Sequence, residues 1–426
     1  MKLHDIRKSE LAKNTSVLIS GTAIAQLIPI LLQPVLRRYY SPEIFGAYAV
    51  YLSLVGILII VSSFKYELAI IIPKKDKEAA NVLFLSQSLN FVFNLILFCF
   101  IVVYKHGILK LLNLSEEYTL FLYLVPVGTF LYNLYQGLNY WLIRQKAFFS
   151  VSLNKFVRRG TEGAFQVLFK WLGASVGLIF GDLIGHVANN ISGICQVSRK
   201  RFYLSSYSLT KIKYVAKKYV EYPRYNLVTS FMAACSFLLP MIYINKYFST
   251  QYAGYFDLSK LLLSVPFALV ATSISNVLLQ RTSEKFKSGK SFKRELYSMF
   301  LIVFIIAVIE VIIINLFGVE LFRLIFGKEW IFSGKISSIL VWSYALNFIT
   351  SSFSSIFISL KKIKQLSIWQ MVYFASILSL VLFKNIGFIG FLKIYVFIEI
   401  ACYLAISVLI LSIVAKYENK LIKSSG

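Results

Sequence analysis

The stretch RRYYSPEIFGAYAVYLSLVGILIIVSSFKYELAIIIP, residues 37–73, decides the fold of this chain. It opens with a polar, aromatic turn and then stays apolar for about twenty residues, the length that an α-helix needs to cross a bilayer. Near its end it carries Lys65 and Glu67, where hydrocarbon tolerates charge poorly. The stretch therefore predicts a membrane-spanning helix with ionisable residues inside the membrane.

The opening of this stretch occurs a second time, about 208 residues further along the chain. The matched residues are Tyr39 with Tyr247, Ser41 with Ser249 and Gly46 with Gly254. A second pair of segments, GILKLLNLSEEY at residues 107–118 and GVELFRLIFGKEW at residues 318–330, matches at about 211 residues. Two halves with one architecture, and charges inside the membrane, are typical of transporters.

Composition places the chain in a membrane rather than in water. Hydrophobic residues make up 58% of its 426 residues and charged residues only 15%, whereas soluble domains are near half apolar and a quarter charged. The net charge of +26 would suggest nucleic acid in a soluble protein. Here the cations lie at the ends of apolar runs, as membrane topology requires, so no nucleic-acid partner is expected. The four cysteines show no metal-like spacing, and no metal site is expected.

The apolar runs predict an all-α membrane protein with about twelve spans, six in each half. The predicted spans are residues 11–36, 45–72, 79–103, 118–143, 151–169, 173–197, 225–244, 252–279, 296–317, 331–360, 366–383 and 387–415. Lys and Arg concentrate in one set of alternate loops, so both termini are predicted to be cytoplasmic. The predicted organisation is a six-helix bundle at residues 1–197, a cytoplasmic linker at 198–224 and a second six-helix bundle at 225–426. An even number of helices in each half makes the repeat parallel.

The fifth predicted span carries four ionisable residues on one helical face. Lys155, Arg158, Arg159 and Glu162 stand at positions i, i+3, i+4 and i+7. At mid-depth each cation facing lipid would cost about 3 kcal/mol, so we expect this face to line a watery cavity or to pack on partner helices. The alternative is a helix that begins at the headgroup level, from which long side chains reach water.

Two further pairs of charges lie within predicted spans. Lys65 and Glu67 are two positions apart, so in a continuous helix they face different ways and are not expected to neutralise each other. Asp257 and Lys260 stand at i and i+3 in the eighth span. They are spaced to form an ion pair, which is either structural or functional.

Three more ionisable residues lie deep in apolar sequence. Glu310 stands alone in FIIAVIEVIIINLF and suits proton binding for ion coupling, because hydrocarbon favours the neutral acid. A neutral acid hydrogen-bonded between helices is the alternative. Asp182 and His186, at i and i+4 in the sixth span, are a second candidate protonation pair. A glycine ladder on that helix indicates close helix packing instead, and its members are Gly173, Gly177, Gly181 and Gly185.

Two spans carry neutral polar stripes. The fourth has Tyr132, Gln136 and Tyr140 at i, i+4 and i+8, and the tenth is rich in Ser and Thr between residues 347 and 355. Amides, hydroxyls and aromatic rings suit contacts with sugars, while Ser and Thr also serve as ordinary interhelical donors. The chain has no GxxxxGK[ST], HExxH or GxSxG motif and no large external loop, so we expect no enzymatic activity.

Two stretches of the first half carry a family resemblance. LISGTAIAQLIPILLQPVLRRYYSPEIFGAYAVYLSLVGIL (residues 18–58) and FKYELAIIIPKKDKEAANVLFLS (residues 64–86) closely resemble the start of bacterial polysaccharide biosynthesis proteins. In the second half, YFDLSKLLLSVPFALVATSISNVLLQ and LIFGKEWIFSGK are similar to the corresponding motifs. These proteins are O-antigen and capsule-type oligosaccharide-lipid flippases of the multidrug/oligosaccharidyl-lipid/polysaccharide exporter superfamily, with a MATE-like fold.

The resemblance implies two six-helix bundles around a central cavity. It implies alternating-access transport of a polyprenyl-pyrophosphate-linked oligosaccharide across the bacterial inner membrane. A polysaccharide polymerase and chain-length proteins are candidate partners, and the sequence is equally consistent with a protein that works alone. The resemblance implies coupling to H⁺ or Na⁺ entry and no other cofactor. In such a cavity, cations hold the pyrophosphate, and the matching candidates are Lys65, Arg158, Arg159, Arg224 and Lys260. The candidates for ion coupling are Glu310, Glu67, Asp182 and Asp257.

Two other functions compete with this one. An ion-coupled exporter of small molecules, of the multidrug type, predicts an acidic cavity, which is opposite in sign to the fifth span. A membrane-embedded polymerase or glycosyltransferase predicts a large external loop, which the sequence lacks.

Overall fold

Helices form all the regular secondary structure in the described part of the chain. The computed structural model describes residues 10–174, 176–199 and 208–425. The α-helices in these ranges are α1 (Glu10–Tyr39), α2 (Pro42–Ser62), α3 (Asp76–Leu112), α4 (Thr119–Arg144), α5 (Phe148–Trp171), α6 (Gly177–Ser198), α7 (Leu209–Lys218), α8 (Leu227–Tyr247), α9 (Thr250–Lys287), α10 (Lys293–Phe326), α11 (Ile331–Phe353), α12 (Ser355–Ser359), α13 (Ile363–Leu378) and α14 (Phe388–Ser425). The all-α prediction is confirmed.

Twelve of these helices have at least 16 residues, the length of the shortest, α13. Within the described residues, 8 helical segments are long and apolar enough to cross a membrane. Helices α1, α4, α5 and α6 are comparable in length but are not among these segments. Of these, α4, α5 and α6 carry the amides, carboxylates and arginines singled out above.

The chain divides into unit 1, Met1–Leu238, and unit 2, Leu239–Gly426. The division falls inside α8, whereas the sequence placed a linker at residues 198–224. Residues 200–207 of that linker lie outside the described residues. Its later part forms α7, which packs on α3: Lys218 Nζ donates to Glu78 Oε1 at 2.6 Å and the Tyr219 hydroxyl donates to the same oxygen at 2.9 Å. The limits of the two predicted bundles stay predictions.

The internal repeat has a direct structural counterpart at two helix starts. Ser41 is the N-cap of α2, where its hydroxyl accepts from the Ile44 amide at 3.4 Å. Ser249 is the N-cap of α9, where its hydroxyl accepts from the Tyr252 amide at 3.1 Å. A serine oxygen at this position satisfies an amide that the first helical turn leaves unpaired. The repeated serine is therefore a repeated helix-start signal.

Glycines bring α5 and α6 together in unit 1. A Cβ atom at Gly185 would lie 2.9 Å from the Arg158 carbonyl oxygen, and one at Gly181 would lie 3.0 Å from the Glu162 carbonyl oxygen. The first distance is shorter than real Cβ atoms show, and the second is tighter than nine in ten real Cβ contacts. The two helices therefore pack backbone to backbone, as the glycine ladder predicts. Because of this contact, Arg158 and Glu162 of α5 lie directly against α6.

The second predicted span is not one continuous helix, and this part of the prediction is wrong. Helix α2 ends at Ser62, and Phe64 and Lys65 adopt left-handed backbone angles with φ of 52° and 63°. A 3₁₀ helix, Tyr66–Ile71, follows. Left-handed angles interrupt a right-handed helix and are costly for residues other than glycine.

This break also corrects the prediction for Lys65 and Glu67. Because the helical 100° step does not hold across it, Lys65 Nζ lies 3.6 Å from Glu67 Oε1 and the two form an ion pair. The Ser63 hydroxyl also donates to the Glu67 carboxylate. The two charges therefore neutralise each other at the end of α2.

Arg144, at the end of α4, holds the segment that follows the break. Its guanidinium donates to Asp76 Oδ1 at 2.9 Å. It also donates to four backbone carbonyls of residues 70–74 at 2.5 to 3.4 Å. The side chain is only 10% exposed. One planar guanidinium thus replaces the hydrogen bonds that a regular helix would have supplied.

We expect Arg144→Ala to lower the free energy of unfolding by about 2 kcal/mol, because several charge-assisted hydrogen bonds are lost and buried carbonyls lose their donor. Denaturant or thermal melting of the detergent-purified protein measures this change. Arg199→Ala, which removes an exposed arginine after α6, is the matched control and should melt like wild type. An unchanged midpoint for Arg144→Ala would contradict this role.

Unit 2 is organised around α11, which packs against α9, α10 and α14. Gly334 on α11 allows this packing, since a Cβ atom there would lie 2.8 Å from Val319 Cα on α10. On the other side, the Ser259 hydroxyl of α9 donates to the Ser333 carbonyl at 2.8 Å. The close contact lies in the motif LIFGKEWIFSGK, whose second glycine is Gly334.

Candidate functional site

The interface of α5 and α6 joins two of the predicted site residues directly. Arg158 Nη2 lies 3.4 Å from Asp182 Oδ1 across the two helices. Asp182 is buried, with 3% of its side chain exposed, whereas the Arg158 side chain is 19% exposed. The glycine contact described above sets this distance, because it brings the backbones together one turn away. The carboxylate of Asp182 is thus less accessible than the side chain of Arg158 that contacts it.

Arg159 repeats the arrangement on its own helix. Its Nη1 contacts both carboxylate oxygens of Glu162, at 3.2 and 2.8 Å. The Arg159 side chain is 31% exposed and that of Glu162 8%. Two guanidiniums and two carboxylates therefore balance in charge, and in both pairs the cation is the more accessible partner. The predicted cationic face of the fifth span is present, with its countercharges buried beneath it.

Aromatic and imidazole rings complete this cluster. The Tyr132 ring centroid lies 5.3 Å from that of His186 and 5.5 Å from Arg158 Cζ. Such a stacked guanidinium gains a cation–π contribution. His186 Nε2 lies 3.6 Å from Asp182 Oδ1. We name Arg158, Arg159, Glu162, Asp182, His186 and Tyr132 the α5–α6 charge cluster.

Two nitrogen atoms of the cluster are buried and have no partner among the described residues. They are Arg158 Nε and His186 Nδ1. Buried donors are usually satisfied by protein or water, so exceptions point to a ligand or to ordered water. Both atoms lie on the side chains that flank Asp182.

Gln136 and Tyr140, the other predicted sugar contacts, continue from Tyr132 along α4, and all three side chains are half-buried. They share a helical face by their spacing of four. The stripe therefore starts at the charge cluster and runs toward the C-terminal end of α4. A sugar role for it remains a prediction.

The other predicted cations lie apart from this cluster. Lys65 pairs with Glu67 at the end of α2. Arg224 lies exposed in the π-helix Tyr222–Asn226, with its guanidinium carbon 5.5 Å from the Tyr225 ring centroid. Lys260 belongs to unit 2, where it is 8% exposed.

The predicted acids differ in their surroundings. Glu310 on α10 is 5% exposed, and neither of its carboxylate oxygens has a hydrogen-bond partner in the described parts of the chain. Asp257 is half-buried and interacts electrostatically with Lys260, which lies on the same helix, α9. Glu67 and Asp182 both contact cations, as described above. Glu310 is thus the predicted acid with the most apolar environment.

Sequence reasoning missed Glu399, a buried acid on α14. Its Oε1 accepts from the Tyr395 hydroxyl at 2.7 Å and the Tyr373 hydroxyl at 3.1 Å, and Tyr403 lies 3.5 Å away. Glu399 also interacts electrostatically with the buried Lys260. A signal was available, since Tyr395, Glu399 and Tyr403 stand at i, i+4 and i+8 in YVFIEIACY.

No group of three His, Cys, Asp or Glu residues within the described ranges is arranged to hold a metal ion. The arrangement of the α5–α6 charge cluster is suited to binding an anion by guanidinium hydrogen bonds, with aromatic and amide groups alongside.

Solved structures with the same fold are transporters. An inward-facing multidrug resistance MATE family transporter of the MOP superfamily matches with a TM-score of 0.73 at 16% identity, over 96% of this chain and 99% of that chain. Lipid II flippase MurJ, in an inward closed conformation, matches with a TM-score of 0.73 at 16% identity, over 94% and 91%. A MOP superfamily transporter from Pyrococcus furiosus Vc1, whose binding pocket is described as reversed in polarity, matches with a TM-score of 0.62 at 15% identity, over 95% of each chain. The chain therefore shares the all-α fold of these transporters.

The family follows from the sequence match. The family model described as polysaccharide biosynthesis protein matches residues 35–335, more than half of the chain, and the chain belongs to this family. No curated protein matches it.

Proposed function

We propose that the protein is a flippase that moves a polyprenyl-pyrophosphate-linked oligosaccharide from the cytoplasmic to the outer leaflet of the bacterial inner membrane. The process is alternating access without bond chemistry, and it serves a surface polysaccharide such as O-antigen or capsule. Family membership and the fold shared with a lipid II flippase support the substrate class. Both termini are cytoplasmic in this proposal, and a polymerase with chain-length proteins uses the product.

The observation that carries the proposal is the accessible cationic side of the α5–α6 charge cluster. The side chains of Arg158 and Arg159 are 19% and 31% exposed, whereas those of their carboxylate partners are nearly covered. Stripping water from a pyrophosphate and several sugar hydroxyls is too costly for unaided crossing of hydrocarbon. Guanidiniums in a polar path replace part of that hydration, since they bind phosphate oxygens with two parallel hydrogen bonds.

An exporter of small cations is the second candidate, and the fold shared with multidrug transporters supports it. Reconstitution separates the two. We expect liposomes with the purified protein to move a fluorescent prenyl-pyrophosphoryl-sugar to the opposite leaflet and to leave ethidium gradients unchanged. In cells, deletion should remove the surface polymer and leave its lipid-linked repeat unit on the cytoplasmic leaflet. Ethidium transport without lipid movement would instead support the exporter.

We further propose Glu310 as the group that couples transport to an ion gradient. It is buried on α10 without a described hydrogen-bond partner, so a proton or Na⁺ would relieve the cost of its charge. Glu310→Gln should abolish or alter the dependence of lipid movement on proton and sodium gradients. Glu320→Gln, on the same helix with a 63% exposed carboxylate, is the matched control and should respond like wild type. An unchanged ion response in Glu310→Gln would assign Glu310 a structural role.

A further inference from the structure

The charges of the α5–α6 charge cluster balance before any ligand binds. Arg158 contacts Asp182, and Arg159 contacts Glu162, so each guanidinium already has a carboxylate. A bound phosphate group therefore adds negative charge to a neutral cluster. Uncompensated charge is costly where water is scarce, and a proton is the smallest group that can restore the balance.

A phosphate group that binds Arg158 would compete with Asp182 for the guanidinium. Asp182 would then lose its cationic partner. Its contact with Arg158 is long, at 3.4 Å, whereas Arg159 and Glu162 approach to 2.8 Å and share two contacts. Arg158 also has the buried Nε that lacks a described partner. Phosphate oxygens would thus compete more easily for Arg158 than for Arg159.

His186 gives Asp182 a partner for a proton. Its Nε2 lies 3.6 Å from the same oxygen, Oδ1, that Arg158 contacts. Both side chains are only 3% exposed. Once the guanidinium turns to a phosphate, one proton on this pair gives either a neutral acid or an imidazolium–carboxylate pair. Either state removes the negative charge left behind.

We propose that binding of the pyrophosphate headgroup at Arg158 drives uptake of one proton by the Asp182–His186 pair. This inference rests on the proposed function and adds to it that substrate and proton bind at one linked site. Linkage is reciprocal, so the proton strengthens headgroup binding by the same factor by which the headgroup strengthens proton binding. The affinity for the headgroup therefore rises as the pH falls.

Other titratable and charged groups also face Asp182 and His186 from the packed helices. They are Arg158, Arg159 and Glu162 on α5, Tyr48 and Tyr51 on α2, and Tyr132 on α4. Tyr135 on α4 interacts with Arg158. Phenols and guanidiniums ordinarily exchange protons far above neutral pH. Glu162 is consequently the one other group in this set that competes for the proton, and Arg159 holds it with two contacts.

The test uses the full-length protein in nanodiscs and a short-chain prenyl-pyrophosphoryl-N-acetylglucosamine. The diphosphate diester of this probe keeps its two negative charges across the pH range of interest. Calorimetric titration in two buffers with different ionisation enthalpies counts the protons exchanged on binding. We expect uptake of about one proton for each probe bound, and a Kd that falls up to about tenfold for each pH unit of acidification.

Two matched variants identify the proton site. Asp182→Asn should bind the probe at alkaline pH at least as tightly as wild type does at acidic pH, without proton uptake. Glu162→Gln should still take up the proton. Wild-type binding without proton uptake would overturn the inference, as would uptake that survives in Asp182→Asn and disappears in Glu162→Gln. Absence of probe binding to the wild type at every pH would overturn the proposed function together with this inference.

Discussion

Replacing Arg158 by Gln and Asp182 by Asn in one chain should lower lipid movement at least tenfold while the protein stays folded. The paired change removes one positive and one negative charge, so the cluster remains neutral. It also removes a charge-assisted partner for the pyrophosphate, whose loss costs about 1.5–3 kcal/mol. That loss corresponds to about tenfold to a hundredfold in affinity.

The single variant Arg158→Ala cannot make this distinction. It leaves Asp182, which is 3% exposed, without its guanidinium. Breaking a buried ion pair on one side destabilises a protein by about 3–5 kcal/mol, so lost transport could reflect lost folding. The double variant avoids this confusion.

Transport assays in liposomes, together with melting in detergent, measure both properties. Arg199→Gln, a neutralised arginine at an exposed site after α6, is the matched control and should transport normally. Wild-type transport by a well-folded Arg158→Gln/Asp182→Asn protein would remove Arg158 from the substrate path.

Lys260→Met should destabilise the protein by about 3–5 kcal/mol, and adding Glu399→Gln should restore most of that loss. Lys260 is 8% exposed and interacts electrostatically with Glu399, which is 4% exposed. Without the ammonium group, the Glu399 carboxylate keeps its tyrosine hydrogen bonds but loses a nearby cation. Glutamine keeps an acceptor for Tyr395 and Tyr373 and carries no charge.

A double-mutant cycle from denaturant unfolding measures the coupling between the two sites. Lys335→Met, at an exposed lysine on α11, is the matched control and should have wild-type stability. Additive losses from Lys260→Met and Glu399→Gln would contradict an electrostatic coupling between the two side chains. They would leave Lys260 available for the headgroup role that the sequence predicted.

Some contacts within the site could be predicted, because the spacing of residues along a single helix decides which side chains share a face. Arg158, Arg159 and Glu162 share a face by their positions on α5, and the structure pairs Arg159 with Glu162 as that spacing allows. The i, i+4 spacing of Asp182 and His186 likewise predicts that they lie close together, and their side chains are 3.6 Å apart in the structure. The contact of Arg158 with Asp182 was not predictable, because it crosses between helices and depends on the glycine packing at Gly185.

The sequence by itself determined an all-α membrane protein, predicted about twelve spans, and matched Ser41 with Ser249 in a repeat whose two serines both start helices in the described residues. It did so because apolar length, helical period and N-cap chemistry are local properties of the chain. Only the tertiary structure decided that Lys65 meets Glu67 across a backbone break and that Glu399 is enclosed by tyrosines. Whether a buried charge is compensated depends on atoms that folding brings within a few ångströms, and sequence spacing does not encode those distances across a break or between helices.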